Sequence, residues 1–195
     1  MKSSFLIRKL SRPEEFEEFC AGYWKSFARR PIVSQAPLLP PDVASFTNVF
    51  GAFADGKMRA GYVLNKNQAS FRNLHTLTLE ERSAFVVRIN TGKMNVVEIS
   101  SLWKDEEFRQ FKSRLWPHIF LEVMKSSVTH VLGAVYPKHG MAENYLKTRP
   151  EILHLGNGSE DRSVFLYKKS QFLWTIILAF VKQGGHLAGA IRELR

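Results

Sequence analysis

Two apolar runs, Asn48–Ala54 and Met58–Leu64, flank Asp55-Gly56-Lys57. Asp-Gly tolerates positive φ at both central positions of a tight turn, so the pattern predicts a β-hairpin. Upstream, Phe5–Leu10 reads as a strand. Pro13, preceded by Ser11-Arg12 and followed by Glu14 and Glu15, suits a helix start. Phe16, Phe19, Cys20, Tyr23, Trp24 and Phe27 then recur at helical spacing, and the pattern stops near Arg29-Arg30-Pro31. A proline-rich connection leads to Pro40-Pro41, which opens a second short helix. Asn65–Leu77 is polar and without a period. Thr78 with Glu81 forms a capping-box pattern for a short helix reaching about Phe85, and Gly92 breaks the chain after it.

From Asn95 the order is strand (Asn95–Trp103), charged loop (Lys104–Arg109), Gln110–Arg114 opening a helix (Leu115–Met124), and strand (His130–Val135). Met141–Lys147, containing Tyr145, closes this unit as a helix. Pro150–Leu155 reads as a short strand, Asn157–Asp161 as a turn and Ser163–Lys168 as a last strand. Ser170 caps a final helix, which Gly184-Gly185 bends before a basic tail, His186–Arg195. Mixed order with a hairpin excludes a simple doubly wound sheet. It predicts an α+β fold with a mixed, mostly antiparallel central sheet flanked by helices. A helix of about four turns between Val97–Trp103 and Val131–Val135 predicts that these are adjacent parallel strands.

The 195 residues, 45% of them apolar, can build a full core in one domain, with a helical extension at about 170–195. The single cysteine, Cys20, excludes an internal disulfide framework and a cysteine-based zinc site, and it sits at a packing position. A reducing, cytoplasmic location follows as an expectation. The N-terminus lacks the apolar run of a signal peptide. The longest apolar run, Phe172–Val181, is about half the length of a spanning helix. The six histidines show no ligand spacing, so no metal is expected. The net charge of +10 suits acidic partners in general. It is scattered, and no nucleic-acid-binding motif accompanies it, so nucleic acid is not favoured as a partner.

The order from Asn95 to Tyr145 resembles the cofactor half of the Gcn5-related N-acetyltransferase superfamily, and the element order from Phe5 to Lys168 is similar throughout. The resemblance implies an N-acyltransferase moving an acyl group from a phosphopantetheine thioester to an amine-bearing substrate. The thioester would be acyl-CoA or acyl carrier protein. It places the pantetheine along Leu102, Trp103 and Lys104 at the end of strand four, and the pyrophosphate at Arg109, Lys112, Ser113 and Arg114. It makes Glu98, in mid-strand, the general base. It makes Tyr145, after strand five, the acid that protonates the leaving thiolate.

Two departures qualify the resemblance. The family's phosphate loop has Arg or Gln, two residues, Gly, one residue, and Gly or Ala. Arg109 matches, but Lys112 and Arg114 occupy the glycine positions, offering charge in place of close backbone approach. The usual Gly-Phe after the tyrosine is replaced by Arg149-Pro150. Glu98-Ile99-Ser100-Ser101-Leu102 is similar to strand four of the N-acyl amino acid and N-acyl homoserine lactone synthases, with Ser101 where those have arginine. That branch mostly draws on acyl carrier protein, an acidic partner that suits a basic chain. The other readings are a catalytically silent member serving as a basic binding protein, and an enzyme acting on nucleic acid or protein lysine. Along strand four, alternation assigns Glu98, Ser100 and Leu102 to one face and Val97, Ile99 and Ser101 to the other.

Overall fold

Asp55 and Gly56 have φ of 51° and 77°, and the turn they make closes the hairpin that the sequence predicts. The computed structural model describes residues 5–27, 38–106, 108, 114–135, 148–156 and 162–182. In chain order the described elements are β1 (Phe5–Lys9), α1 (Pro13–Phe27), α2 (Pro40–Ser45), β2 (Asn48–Ala54) and β3 (Lys57–Asn65). Two 3-10 turns follow, Gln68–Ser70 and Arg72–Thr76, then α3 (Leu79–Arg88) and a π turn, Ile89–Lys93. Next come β4 (Val96–Lys104), α4 (Trp116–Lys125), β5 (His130–Val135), β6 (Glu151–His154), β7 (Ser163–Lys168) and α5 (Lys169–Lys182).

The strands form a seven-stranded sheet in the order β1-β2-β3-β4-β5-β7-β6. β4 and β5 are parallel, with Val96 against His130, Val97 against Val131 and Glu98 against Leu132. The pairs β1/β2, β2/β3, β5/β7 and β6/β7 are antiparallel. The fold is therefore the expected α+β arrangement, with one parallel pair spanned by α4.

Local signals explain most boundaries. The Thr78 hydroxyl accepts from Glu81 N at 3.2 Å, and Glu81 Oε2 accepts from Thr78 N at 2.8 Å, completing the capping box. α3 runs to Arg88 rather than Phe85, and Gly92, at φ 71°, ends the π turn beyond it. The last helix begins at Lys169, ahead of the expected Ser170 cap, and the Gln171 side chain accepts the Lys168 N–H at 3.0 Å. The Gly184-Gly185 bend and the helix of Tyr145 lie outside the described residues.

The chain groups into two compact units. In the first, Met1–Phe71 with Ile99–Phe111, α1 turns Phe19, Cys20 and Tyr23 into a core shared with Leu38, Val43 and Trp103. Burial of each such large side chain stabilises by roughly 1.5–3 kcal/mol. Glu15 is buried in this unit. It accepts from the Arg8 guanidinium at 2.7 Å and the Ser11 N–H at 3.0 Å. Its pKa lies well below the usual carboxylate range, chiefly because of the Arg8 bond. Asn65, also buried, organises the first 3-10 turn. Its Oδ1 accepts from Asn67 N at 3.0 Å, and its Nδ2 donates to Ser70 Oγ at 2.9 Å.

The second unit is Arg72–Glu98 with Lys112–Arg195. Here Ile119, Val123, Val131, Leu132 and Phe165 are buried. Lys169 Nζ donates to the Met124 and Ser126 carbonyls at 2.9 and 2.7 Å. A cation there satisfies carbonyls that the end of α4 leaves open. Among the described residues, no helix is long and apolar enough to cross a membrane, and no group of three His, Cys, Asp or Glu could hold a metal.

Candidate active site

Of the predicted site residues that the structure describes, Glu98, Leu102, Trp103 and Lys104 lie on β4, and Arg114 precedes α4. Glu98 is fully buried. A carboxylate taken from water is costly unless hydrogen-bonded, and here its Oε2 accepts from Arg72 N at 3.0 Å and its Oε1 from Asn73 N at 2.6 Å. These are the first amides of the 3-10 turn Arg72–Thr76. A segment without periodicity in the sequence is thus pinned by a carboxylate from the next strand. The turn is braced further by Arg162, which donates to Thr76 Oγ1 at 2.9 Å and Asn73 Oδ1 at 3.4 Å. His75 on the same turn has a lowered pKa. Burial is the main cause, and Arg82, Arg72 and Arg162 add positive charge around it.

Beyond Glu98, the strand is distorted. Ser101 has φ 50°, a left-handed conformation that costs a non-glycine residue roughly 1–3 kcal/mol. Inside a strand it is a local departure from extended backbone. The simple alternation expected along β4 is therefore interrupted at Ser101. The Ser100 and Ser101 hydroxyl oxygens are buried and have no hydrogen-bond partner.

Trp103, expected to flank the pantetheine, is 3% exposed. It meets Phe19 edge-to-face with centroids 5.8 Å apart. It also presses on α1 so closely that a β-carbon on Gly22 would stand 2.6 Å from Cζ2. Lys104 is exposed and Leu102 half-buried. The end of β4 is tied to β3 by Asp105 N to Arg59 O at 2.6 Å and by the Arg59–Asp105 ion pair at 3.1 Å. A pocket of about 220 Å³ is lined there by Trp103, Lys104 and Asp105 together with Glu18, Gly22 and Lys25 of α1. Arg114 is half-buried just ahead of α4. Arg109, Lys112, Ser113 and Tyr145 lie outside the described residues.

Sequence reasoning missed the two amide partners of Glu98, the β4 distortion and the α1 side of this pocket.

No protein-family model and no curated protein matches the sequence. Solved structures do match in shape. An N-acyl amino acid synthase from uncultured soil microbes superposes with a TM-score of 0.67 at 12% identity, over 93% of this chain and 98% of that one. A putative acetyltransferase from Salmonella typhimurium, solved with its cofactor acetyl-CoA, gives 0.53 at 6% identity over 86% and 95%. An acyl-homoserine-lactone synthase gives 0.52 at 9% identity over 84% and 88%. The chain has the fold that these acyltransferases share, that of the Gcn5-related N-acetyltransferases.

Proposed function

We propose that this protein is an N-acyltransferase that carries an acyl group from a phosphopantetheine thioester to an amine. The observation that carries the reading is the shared fold over nearly the whole chain with an N-acyl amino acid synthase. The parallel β4/β5 pair and the distorted β4 accompany it. Unsatisfied hydroxyls on β4 fit a ligand rich in amide and carbonyl groups. The bound thioester supplies an activated carbonyl.

In this reading the amine nitrogen forms a bond to the carbonyl carbon as the carbon–sulfur bond breaks. Glu98 receives the proton that the amine gives up, and Tyr145 returns one to the departing thiolate. Arg109, Lys112, Ser113 and Arg114 hold the donor's phosphate, with Leu102 and Lys104 along its arm. The +10 charge favours acidic acyl carrier protein over free coenzyme A as the carrier.

One observation favours a second role for Glu98. Both of its oxygens already accept backbone N–H groups inside the protein, the arrangement of an anchor. In that role it holds the 72–76 turn, and Tyr145 carries the proton transfer alone.

The test is thioester consumption with a panel of amines, run with acyl-CoA and with acyl carrier protein. Turnover with either donor supports the reading, and faster turnover with the carrier protein identifies the partner. Lys112→Glu should weaken donor binding far more at low salt than at high salt. No consumption of either thioester with any amine rejects the enzyme.

A further inference from the structure

The helix α5 is apolar on the side it buries and on the side it shows to solvent. Phe172 and Ile176, 5% and 6% exposed, form its inner face, and Phe172 meets the Tyr167 ring of β7 with centroids 6.1 Å apart. Two positions after Phe172, Trp174 is 60% exposed, while Leu173 and Ile177 are half-buried. From Phe172 to Val181 every residue but Thr175 is apolar and none is charged. Thr175 turns its hydroxyl back to the Gln171 carbonyl at 2.8 Å. Leu178 and Val181 stand four and seven positions after Trp174 in the sequence, the spacing of one helix face. Met124, at the end of α4 that Lys169 caps, is 48% exposed as well. A helix that meets water on one side normally carries polar residues there. Packing within the protein accounts for the inner face alone.

The charges beside this helix say what covers the outer face. Lys168 and Lys169 precede the apolar run, Lys182 follows it, and Arg192 and Arg195 lie further on. From Lys168 onward Glu193 is the single acid. An apolar run with cations at its ends matches hydrocarbon beneath a layer of anionic phosphates. Tryptophan at the exposed position agrees, because indole joins a large apolar ring to one N–H donor and favours the boundary between headgroups and acyl chains. As a helix the run is about 15 Å long, half the thickness of a bilayer's hydrocarbon core, so it suits lying in the surface and not crossing it. We propose that α5 is a membrane-surface helix that sets Trp174 into the headgroup region of an anionic bilayer. The proposal stands apart from the acyltransferase reading and does not depend on it.

Sedimentation with lipid vesicles tests it. Wild-type protein should pellet with phosphatidylcholine vesicles containing about 30% phosphatidylglycerol, and much less with phosphatidylcholine alone. High salt should weaken the binding. Trp174→Glu removes the indole and adds repulsion, so it should lower the partition coefficient by about tenfold or more. At so exposed a position the Tm should not change. Trp174→Gln removes the indole without adding charge, and it makes the same comparison if the glutamate variant is unstable. Anionic vesicles should shift the tryptophan emission of the wild type to the blue, and Trp174→Phe should abolish that shift while keeping most of the binding. Wild-type protein that stays in the supernatant with anionic vesicles overturns the proposal. Equal pelleting of the wild type, Trp174→Glu and Trp174→Gln overturns it too. A wild-type dimer in light scattering that Trp174→Glu converts to a monomer assigns the face to a second copy of the chain and likewise overturns it.

Discussion

The Oε1 atom of Glu98 lies 2.6 Å from the backbone nitrogen of Asn73, and that bond joins a mid-strand carboxylate to the start of a 3-10 turn. With the second bond, from Arg72 N at 3.0 Å, it makes Glu98 part of the architecture whatever its part in catalysis. Glu98→Gln keeps the shape but sets an amide donor against one of the two N–H groups. Hydrogen bonds to a charged group contribute about 1.5–3 kcal/mol, so a loss of that size is expected in urea unfolding. The pH–rate profile then separates the two roles. A general base lost to glutamine flattens the alkaline-rising limb, whereas a lost anchor lowers activity and preserves the limb.

Tyr145→Phe retains the ring and removes the proton. If Tyr145 protonates the leaving thiolate, turnover should fall by about a hundredfold to ten-thousandfold, with donor affinity and Tm unchanged. Single-turnover kinetics beside calorimetric donor binding make the comparison. Undiminished turnover would remove the tyrosine from the mechanism.

Gly22 is where α1 meets Trp103. Alanine is the better helix former by about 1 kcal/mol, yet its β-carbon would overlap the indole ring. Overpacking of this kind costs typically about 1–3 kcal/mol, so Gly22→Ala should be net destabilising. Shrinking the ring should relieve the clash. The double variant Gly22→Ala/Trp103→Phe should therefore be more stable than the sum of the single changes allows. Additive effects in denaturant unfolding would show that the helix shifts instead.

Glu15 links stability to acid. Its pKa in the folded protein is depressed below the ordinary 4.5, first by the Arg8 hydrogen bond and then by bonds from Ser11 and Arg12 that outweigh its burial. A depressed carboxylate contributes stability above its unfolded pKa, and that contribution is lost as pH falls from there towards the folded value. Unfolding free energy should thus decline from about pH 4.5 downward. Glu15→Gln should be less stable at neutral pH and show a shallower decline. Parallel pH curves for the two proteins would assign the acid sensitivity to other carboxylates.

The amino-acid order alone determined the elements whose cause is local. Asp55-Gly56 dictated a turn because two successive positive-φ positions are cheap only for such residues. Thr78 and Glu81 dictated a helix start because each side chain satisfies the other's backbone. The apolar spacing of α1 and the length of the crossover through α4 dictated the mixed sheet and its parallel pair. What the sequence could not show depends on partners distant along the chain. Residues 65–77 carry no periodic signal because their order comes from two polar side chains, Asn65 and Glu98, whose hydrogen bonds hold the two 3-10 turns. Trp103 has the composition of a ligand-flanking residue, but the close approach allowed by Gly22 and Gly61 commits it to the core beside Phe19. The left-handed Ser101 and its unused neighbour Ser100 are likewise products of tertiary structure. Serine has no local preference for positive φ within a strand, so only the surrounding packing can impose it.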